Sequence, residues 1–506
     1  MHLGNFARIR SLLFGLLLIG RSTSAFPTED TARHDSSTVS LGYATYQGST
    51  YRDPFTEKTN TQFLGVRYAA PPTSSLRFAV PQPPAATPGI QEADKQPDAC
   101  YQSGYGSELS PGVVLEGSAL KSREETIIIP ATEYCLFLNI YVPGNVNDSQ
   151  KLPVIAWIHG HIINRGGYLL GSAAYGYYGY DGYNGNDVIR ASNGTAIVVV
   201  IQYRLGIFGF LAGQKSAGGG SVLQHAVANG GKTNPPLFRN AVSSSMFYPP
   251  QYKFNDPLPE ALFRQITTST PAADIKDLEA VNNATNTEAF FGTFTFVPVV
   301  DGVFITEQPS TSLKEGKING NKFLAMTNIN EGTIFINENA PVTSPETTTH
   351  YVANLLPELK ESEAAAVANI HSSLGNVSEQ AAQIMADALF LCPTHGEFAV
   401  PPSLHGDDVI YYFPNGTNRA PPFNNQQFIQ AFSQSFTNFA TAQDLNQKWD
   451  ETNITPAWTA WTSTNRMEMH FGQTANGAPD IGSILTPEDL LKRCEFWSSI
   501  SASTAI

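Results

Sequence analysis

Continuous apolar runs rich in Val and Ile recur along the chain: VIAWIHG (154–160), AIVVVIQY (196–203), FTFVPVV (294–300) and KFLAMT (322–327). Runs with so little polar alternation predict strands buried on both faces, as in a parallel sheet covered by helices. Helical patterns lie between and after them in SEAAAVANIHSSLG, SEQAAQIMADALFLC and NQQFIQAFSQSFTNFATA, the first closed by Gly375 as its C-cap. Near the N-terminus, YATYQG and FLGVRYA flank a polar stretch and predict an antiparallel hairpin leading into the sheet. Strands interleaved with helices define an α/β protein. The segment 168–187 is dense in Gly and Tyr and has neither period; it reads as a surface loop or as an aromatic wall beside a pocket. No internal repeat or linker divides the chain, so residues 26–506 are expected to form a single domain.

Composition places that domain in a compartment. Arg8 and Arg10 precede the apolar run SLLFGLLLIG, and RSTSA ends with Thr23 and Ala25 at the spacing of a signal-peptidase site, which predicts a signal peptide over 1–25. No later run has the roughly 18 consecutive apolar residues of a membrane helix. A formal charge of -14 without any Lys/Arg-rich block argues against nucleic acid or an anionic membrane as partner. Six Asn-x-Ser/Thr sequons, at Asn147, Asn193, Asn283, Asn376, Asn415 and Asn453, and an even count of four cysteines fit a secreted, extracellular glycoprotein with disulfides. Four cysteines allow three pairings. Nothing in the sequence specifies an oligomeric state.

Ser216, Glu331 and His405 occur in the order Ser, acid, His used by α/β-hydrolases. Glu331 follows the strand-like KFLAMT directly, at the strand end where open α/β sheets build their sites. His405 lies in PPSLHGDDVIYYF, in a turn flanked by Pro and Gly. No H-E-x-x-H or Cys/His ligand cluster is present, so no metal and no cofactor is expected.

The stretches FLGVRYAAPPTSSLRFAVPQPP, ATEYCLFLNIYVP, LPVIAWIHG, AIVVVIQYRLGIFGFLAG, SAGGGSVLQHAVANGG, NINEGTIF and LHGDDVIYYF resemble, in order, those of fungal type-B carboxylesterases and lipases, the family that includes cholinesterases. The resemblance implies an α/β-hydrolase fold, with a mostly parallel central sheet flanked by helices, and hydrolysis of a small-molecule or lipid ester through an acyl-enzyme. Ser216 would be the nucleophile, His405 the base and then the acid, and Glu331 the group that orients the imidazole. It implies an oxyanion hole from Gly166, Gly167 and the amide of Ala217, or from Gly160 if the glycine loop is read without an insertion. It also implies the pairings Cys100 with Cys135 and Cys392 with Cys494.

The chain departs from that family at its chemistry. Gln214 and Lys215 stand in QKSAGGG where the family has Gly-Glu before the serine, and the oxyanion loop reads HGHIINRGGY instead of a continuous H-G-G-G run. The residues that would form the strand and helix delivering the serine are missing between FGFLAG and SAGGG, and CPTHGEFAVPP is shortened before His405. A sheet lacking one central strand and helix is therefore expected, with catalysis impaired. The rival expectation is a non-catalytic secreted binding protein of cholinesterase type.

Overall fold

The computed structural model describes residues 37–101, 131–146, 151–160, 162–164, 168–170, 183–210, 218–269, 297–336, 345–392, 396–415 and 420–506. In chain order the strands are β1 (Thr38–Ser40), β2 (Thr45–Gln47), β3 (Ser49–Arg52), β4 (Thr59–Arg67), β5 (Ile90–Glu92), β6 (Ala99–Cys100), β7 (Ala131–Thr132), β8 (Phe137–Pro143) and β9 (Val154–Ile158). They continue with β10 (Ile162–Asn164), β11 (Tyr168–Leu170), β12 (Ile197–Ile201), β13 (Asn240–Ser244), β14 (Lys322–Asn328), β15 (Glu397–Ala399), β16 (Met467–Gln473) and β17 (Pro479–Leu485).

Two five-stranded sheets carry the architecture, ordered β3-β4-β8-β12-β9 and β13-β14-β15-β16-β17. In the first, β12 runs antiparallel to β8 and parallel to β9. Its unbroken IVVV is buried, as a strand covered on both faces requires. The second sheet is parallel from β13 through β16 and closes with the antiparallel β17. Among the described residues no ladder joins β9 to β13, and each ends its own sheet. The helix Gly218–Val227 packs against both of these strands.

A common core crosses the divide. Val198, Val200 and Trp157 of the first sheet belong to one apolar cluster with Leu324, Met326, Phe398 and Phe471 of the second. Phe428, Phe432 and Phe436 of the helix Gln426–Ala442 fill it from one side. That helix starts where the Asn425 side chain accepts from the Phe428 amide, satisfying a donor that the first helical turn leaves open.

Four sequence expectations are corrected. β9 is only half-buried, with Ala156 exposed, because an edge strand has a neighbour on one side only. In FTFVPVV, residues 297–300 form no strand beyond a bridge from Val300 to Lys253, since Pro298 has no N–H to give a ladder; residues 294–296 lie outside the described set. The strand of YATYQG joins β1 and β5, while β4 finds its hairpin partner in β3. Asp53 accepts from the Phe55 and Thr56 amides and so closes that β3–β4 turn. Gly375 is not the C-cap of the helix Glu361–Ile370, which ends at His371, whose Nδ1 meets the Val367 carbonyl at 2.8 Å. Gly375, at φ 72°, instead turns the chain into the Asn376 cap of the helix Val377–Ala386.

Both expected disulfides form, Cys100–Cys135 and Cys392–Cys494, with Cα separations of 5.0 and 5.1 Å. The second ties the helix Glu488–Ser499 to the turn Asp387–Leu391 that follows the helix Val377–Ala386.

Candidate active site

The C-terminal ends of β13 and β14, together with the turn after β15, converge on one hydrogen-bonded group. Glu331 sits three residues beyond β14 at the start of a tight helical turn, and its side chain is fully buried. Oε1 accepts from the Asn328 backbone amide at 2.7 Å and from the Ser245 hydroxyl at 2.7 Å. Oε2 lies 2.6 Å from His405 Nδ1. A carboxylate accepts only, so the proton on Nδ1 belongs to the imidazole and the ring's Nε2 is left as the working atom. The rings of Phe335 and Phe390, centred 5.4 and 5.0 Å away, hold the imidazole plane from the sides.

Local sequence explains each placement. Gly332 lets the helix Val377–Ala386 press onto the turn: a Cβ there would lie 1.8 Å from the Ala382 carbonyl oxygen. Three-residue β15 pairs with Thr327 and Asn328 of β14, so it ends level with the approach to Glu331. Asn330 N then donates to Ser403 O at 3.0 Å, and its Nδ2 to Pro402 O at 2.8 Å, stitching the His405 loop to the Glu331 loop. Two non-glycine residues here occupy the left-handed region, Ser245 at φ 47° and Ser403 at φ 54°. Such conformations cost energy and persist where surrounding contacts over-determine them. For Ser245 those contacts include its bond to Glu331 and the Asn328 Nδ2 bond to its own Oγ at 3.1 Å.

A second buried carboxyl stands behind the first. Asp408 Oδ1 accepts from Asn328 Nδ2 at 3.1 Å, and Oδ2 from the Ser244 hydroxyl. Complete burial pushes its carboxyl up, opposed by those two hydrogen bonds. Burial likewise pushes the neighbouring Asp407 up to about 6, opposed by the Leu404 amide and reinforced by the charges of Asp408 and Glu331.

Of the residues expected from sequence, the structure brings Glu331 and His405 together. Ser216, Ala217, Gly166 and Gly167 lie outside the described residues, as do Lys215 and Gln214. Gly160 follows β9, half-buried, next to the buried His159. Ser245, Asn328 and Asp408 went unmarked in the sequence reading. The second aspartate of LHGDD and the first asparagine of TNINEG each lie three positions from a candidate residue, and that closeness is the only local sign; Ser245 shows none, because its partner is 86 positions away. Among the described residues, no group of three or more His, Cys, Asp or Glu is arranged to hold a metal ion.

This architecture is that of the α/β-hydrolases. Aspergillus niger EstA superposes with a TM-score of 0.73 at 22% identity, covering 93% of this chain and 99% of that one. PNB esterase superposes with a TM-score of 0.68 at 19% identity, covering 91% of this chain and 100% of that one. Residues 35–222 match the carboxylesterase family profile. It is 39% identical over 150 residues to carboxylesterase 1E of Mus musculus, an alignment spanning 30% of this chain and only 23% of the mouse protein. Against acetylcholinesterase 1 of Caenorhabditis briggsae it is 25% identical, over 88% of this chain and 85% of the relative.

Proposed function

We propose that the protein is a secreted carboxylic ester hydrolase working through Ser216, His405 and Glu331. The observation that carries the reading is the Glu331–His405 bond, which fixes the imidazole tautomer and turns Nε2 into the available base. In the proposed reaction Nε2 takes the Ser216 hydroxyl proton as Oγ attacks the ester carbonyl. The imidazolium, neutralised by Glu331, returns that proton to the departing alcohol. Water then attacks the acyl-enzyme by the same route and releases the carboxylic acid. The amide of Ala217, with Gly166 and Gly167 or with Gly160, meets the developing oxyanion. A small-molecule or lipid ester is the substrate class, and the relatives named carboxylesterase support it.

The edges of β9 and β13, unjoined among the described residues, favour the rival reading of a non-catalytic binder, because in carboxylesterases the strand that presents the nucleophile occupies such a central place. A misplacement of about 1 Å at a nucleophile costs roughly a hundredfold in rate. Hydrolysis of a short-chain aryl ester is therefore expected, but slow, and abolished in Ser216→Ala and in His405→Gln. Labelling with a serine-directed fluorophosphonate is expected at Ser216 alone, and slowly. Turnover that survives Ser216→Ala unchanged would end the triad reading and leave the binder.

The leader at 1–25, the two disulfides and the sequons support secretion, with residues 26–506 as the mature single domain. Among the described residues, no helix is long and apolar enough to cross a membrane.

A further inference from the structure

The sequons look alike in sequence and differ sharply in the fold. An N-glycan is attached at Nδ2 of the asparagine: the bond from Nδ2 to the sugar C1 forms as the C1–O bond to a lipid pyrophosphate breaks, Nδ2 losing a proton and the lipid pyrophosphate leaving. The folded chain must therefore leave Nδ2 facing solvent, with space for a saccharide. Of the sequon asparagines, Asn193, Asn376, Asn415 and Asn453 are described; Asn147 and Asn283 are not.

Asn193 is exposed, on the turn that ends the helix Gly185–Ala191. Its backbone takes the left-handed conformation, φ 52°, beside Gly194 at φ 75°, and the Gly194 amide returns to the Ile189 carbonyl at 2.8 Å, where the Ser192 hydroxyl also donates, so the turn closes without the Asn193 side chain. Its Oδ1 accepts from Lys58 Nζ at 3.2 Å, while its Nδ2 makes no hydrogen bond among the described residues. Asn376 is exposed too and caps the helix Val377–Ala386 through Oδ1, which accepts from the Ser378 and Glu379 amides at 3.0 and 3.1 Å. The cap uses the oxygen and leaves the nitrogen, so a saccharide on Nδ2 keeps the cap intact.

Asn453 is the opposite case. It is 7% exposed, its Nδ2 donates to Gln434 Oε1 at 2.7 Å, and its Oδ1 accepts from the Thr455 amide at 2.9 Å. Thr455, the sequon hydroxyl, is 3% exposed and donates to the Ala431 carbonyl at 3.2 Å. Both partners sit on the helix Gln426–Ala442, whose other face fills the main core. A sugar on Nδ2 would stand where Gln434 stands.

We propose that the folded protein carries N-glycans at Asn193 and Asn376 and leaves Asn453 unmodified, its amide serving as a buried clamp on Gln434. The assignment rests on the secretory reading above. The test expresses the full chain in a eukaryotic secretory host in two forms, one with its own N-terminus and one preceded by a strong secretory leader. Peptide-N-glycosidase digestion of the secreted protein in ¹⁸O-water, followed by peptide mass spectrometry, marks each asparagine that bore a glycan. Marks are expected at Asn193 and Asn376, with Asn453 recovered as unmarked asparagine. Asn193→Asp and Asn376→Asp, which keep a residue suited to the left-handed turn and the capping oxygen, should each remove one glycan's mass and leave the thermal midpoint close to that of the parent. Asn453→Gln should leave the mass of the glycoform unchanged and lower the midpoint. A mark at Asn453 in secreted folded protein, or an unmarked Asn193 or Asn376 when the added leader drives secretion, would overturn the assignment. Secretion with the added leader but not with the chain's own N-terminus would instead overturn the secretory reading and leave the glycan assignment standing.

Discussion

At the scale of single residues, the site depends on a close approach and on a charge. Gly332 admits the helix Val377–Ala386 against the Glu331 turn, with no room for a methyl group beside the Ala382 carbonyl oxygen. Gly332→Ala should therefore move either helix or turn and lower stability by about 1–3 kcal/mol, the usual cost of overpacking a tight contact. Thermal unfolding measures that loss, and proposed ester turnover should drop with it because Glu331 moves. An unchanged midpoint would mean that the helix retreats at no cost. Both Glu331 and His405 were legible in the sequence because each stands in a short distinctive segment, NINEGTIF and LHGDD. Their contact, at a separation of 74 positions, was not. Ser245 shows the limit most plainly: it is one of three successive serines, Ser243 to Ser245, and only the left-handed twist at the end of β13 points this hydroxyl at Glu331.

At the scale of elements, the C-terminal helix is held by a charge as well as by a disulfide. Asp387 is fully buried at the start of the turn that leads to Cys392. Its Oδ2 lies between Arg493 Nε and His371 Nε2, the latter at 3.0 Å, and its Oδ1 accepts from Gln383 at 2.7 Å. One carboxylate thus joins three helices. Replacing one member of a buried ion pair strands the other, which costs about 3–5 kcal/mol. Asp387→Ala is expected to destabilise by that order in chemical denaturation, whereas Arg493→Met with Asp387→Leu, which removes both charges, should recover part of the loss. The helices themselves were readable from their apolar spacing. Their caps and ends were not, as Gly375 illustrates: the helix stops at His371, whose ring meets the Val367 carbonyl, and Gly375 serves the turn into the next helix instead.

At the scale of the whole molecule, the raised carboxyls set a direction for pH dependence. Burial pushes Asp407 up to about 6 and Glu468 up to about 7, Glu468 also feeling the charge of Glu397. An acid whose folded value is raised holds its proton longer in the native state. Stability from these groups therefore falls as pH rises from about 4, where the unfolded carboxyls ionise, through 6 and 7. His470, raised chiefly by its hydrogen bond to Glu397, acts in the same sense, since its contribution is present at low pH and lost above its folded value. The thermal midpoint should be higher near pH 5 than near pH 8, and Glu468→Gln should narrow that gap; an equal gap in the variant would remove Glu468 from the account. The sequence by itself determined the α/β class, the strands from Val154, Ile197 and Lys322, the long helix from Gln426 and the cysteines available to pair, because apolar period and backbone chemistry are local properties. Tertiary structure alone decided that ten of the described strands fall into two five-stranded sheets sharing one aromatic core, that β9 is an edge among the described residues, that Ser245, Asn328 and Asp408 stand behind the Glu331–His405 pair, and which of the described sequons face solvent. Those outcomes depend on which distant segments compete for the same space, and no local window contains that competition.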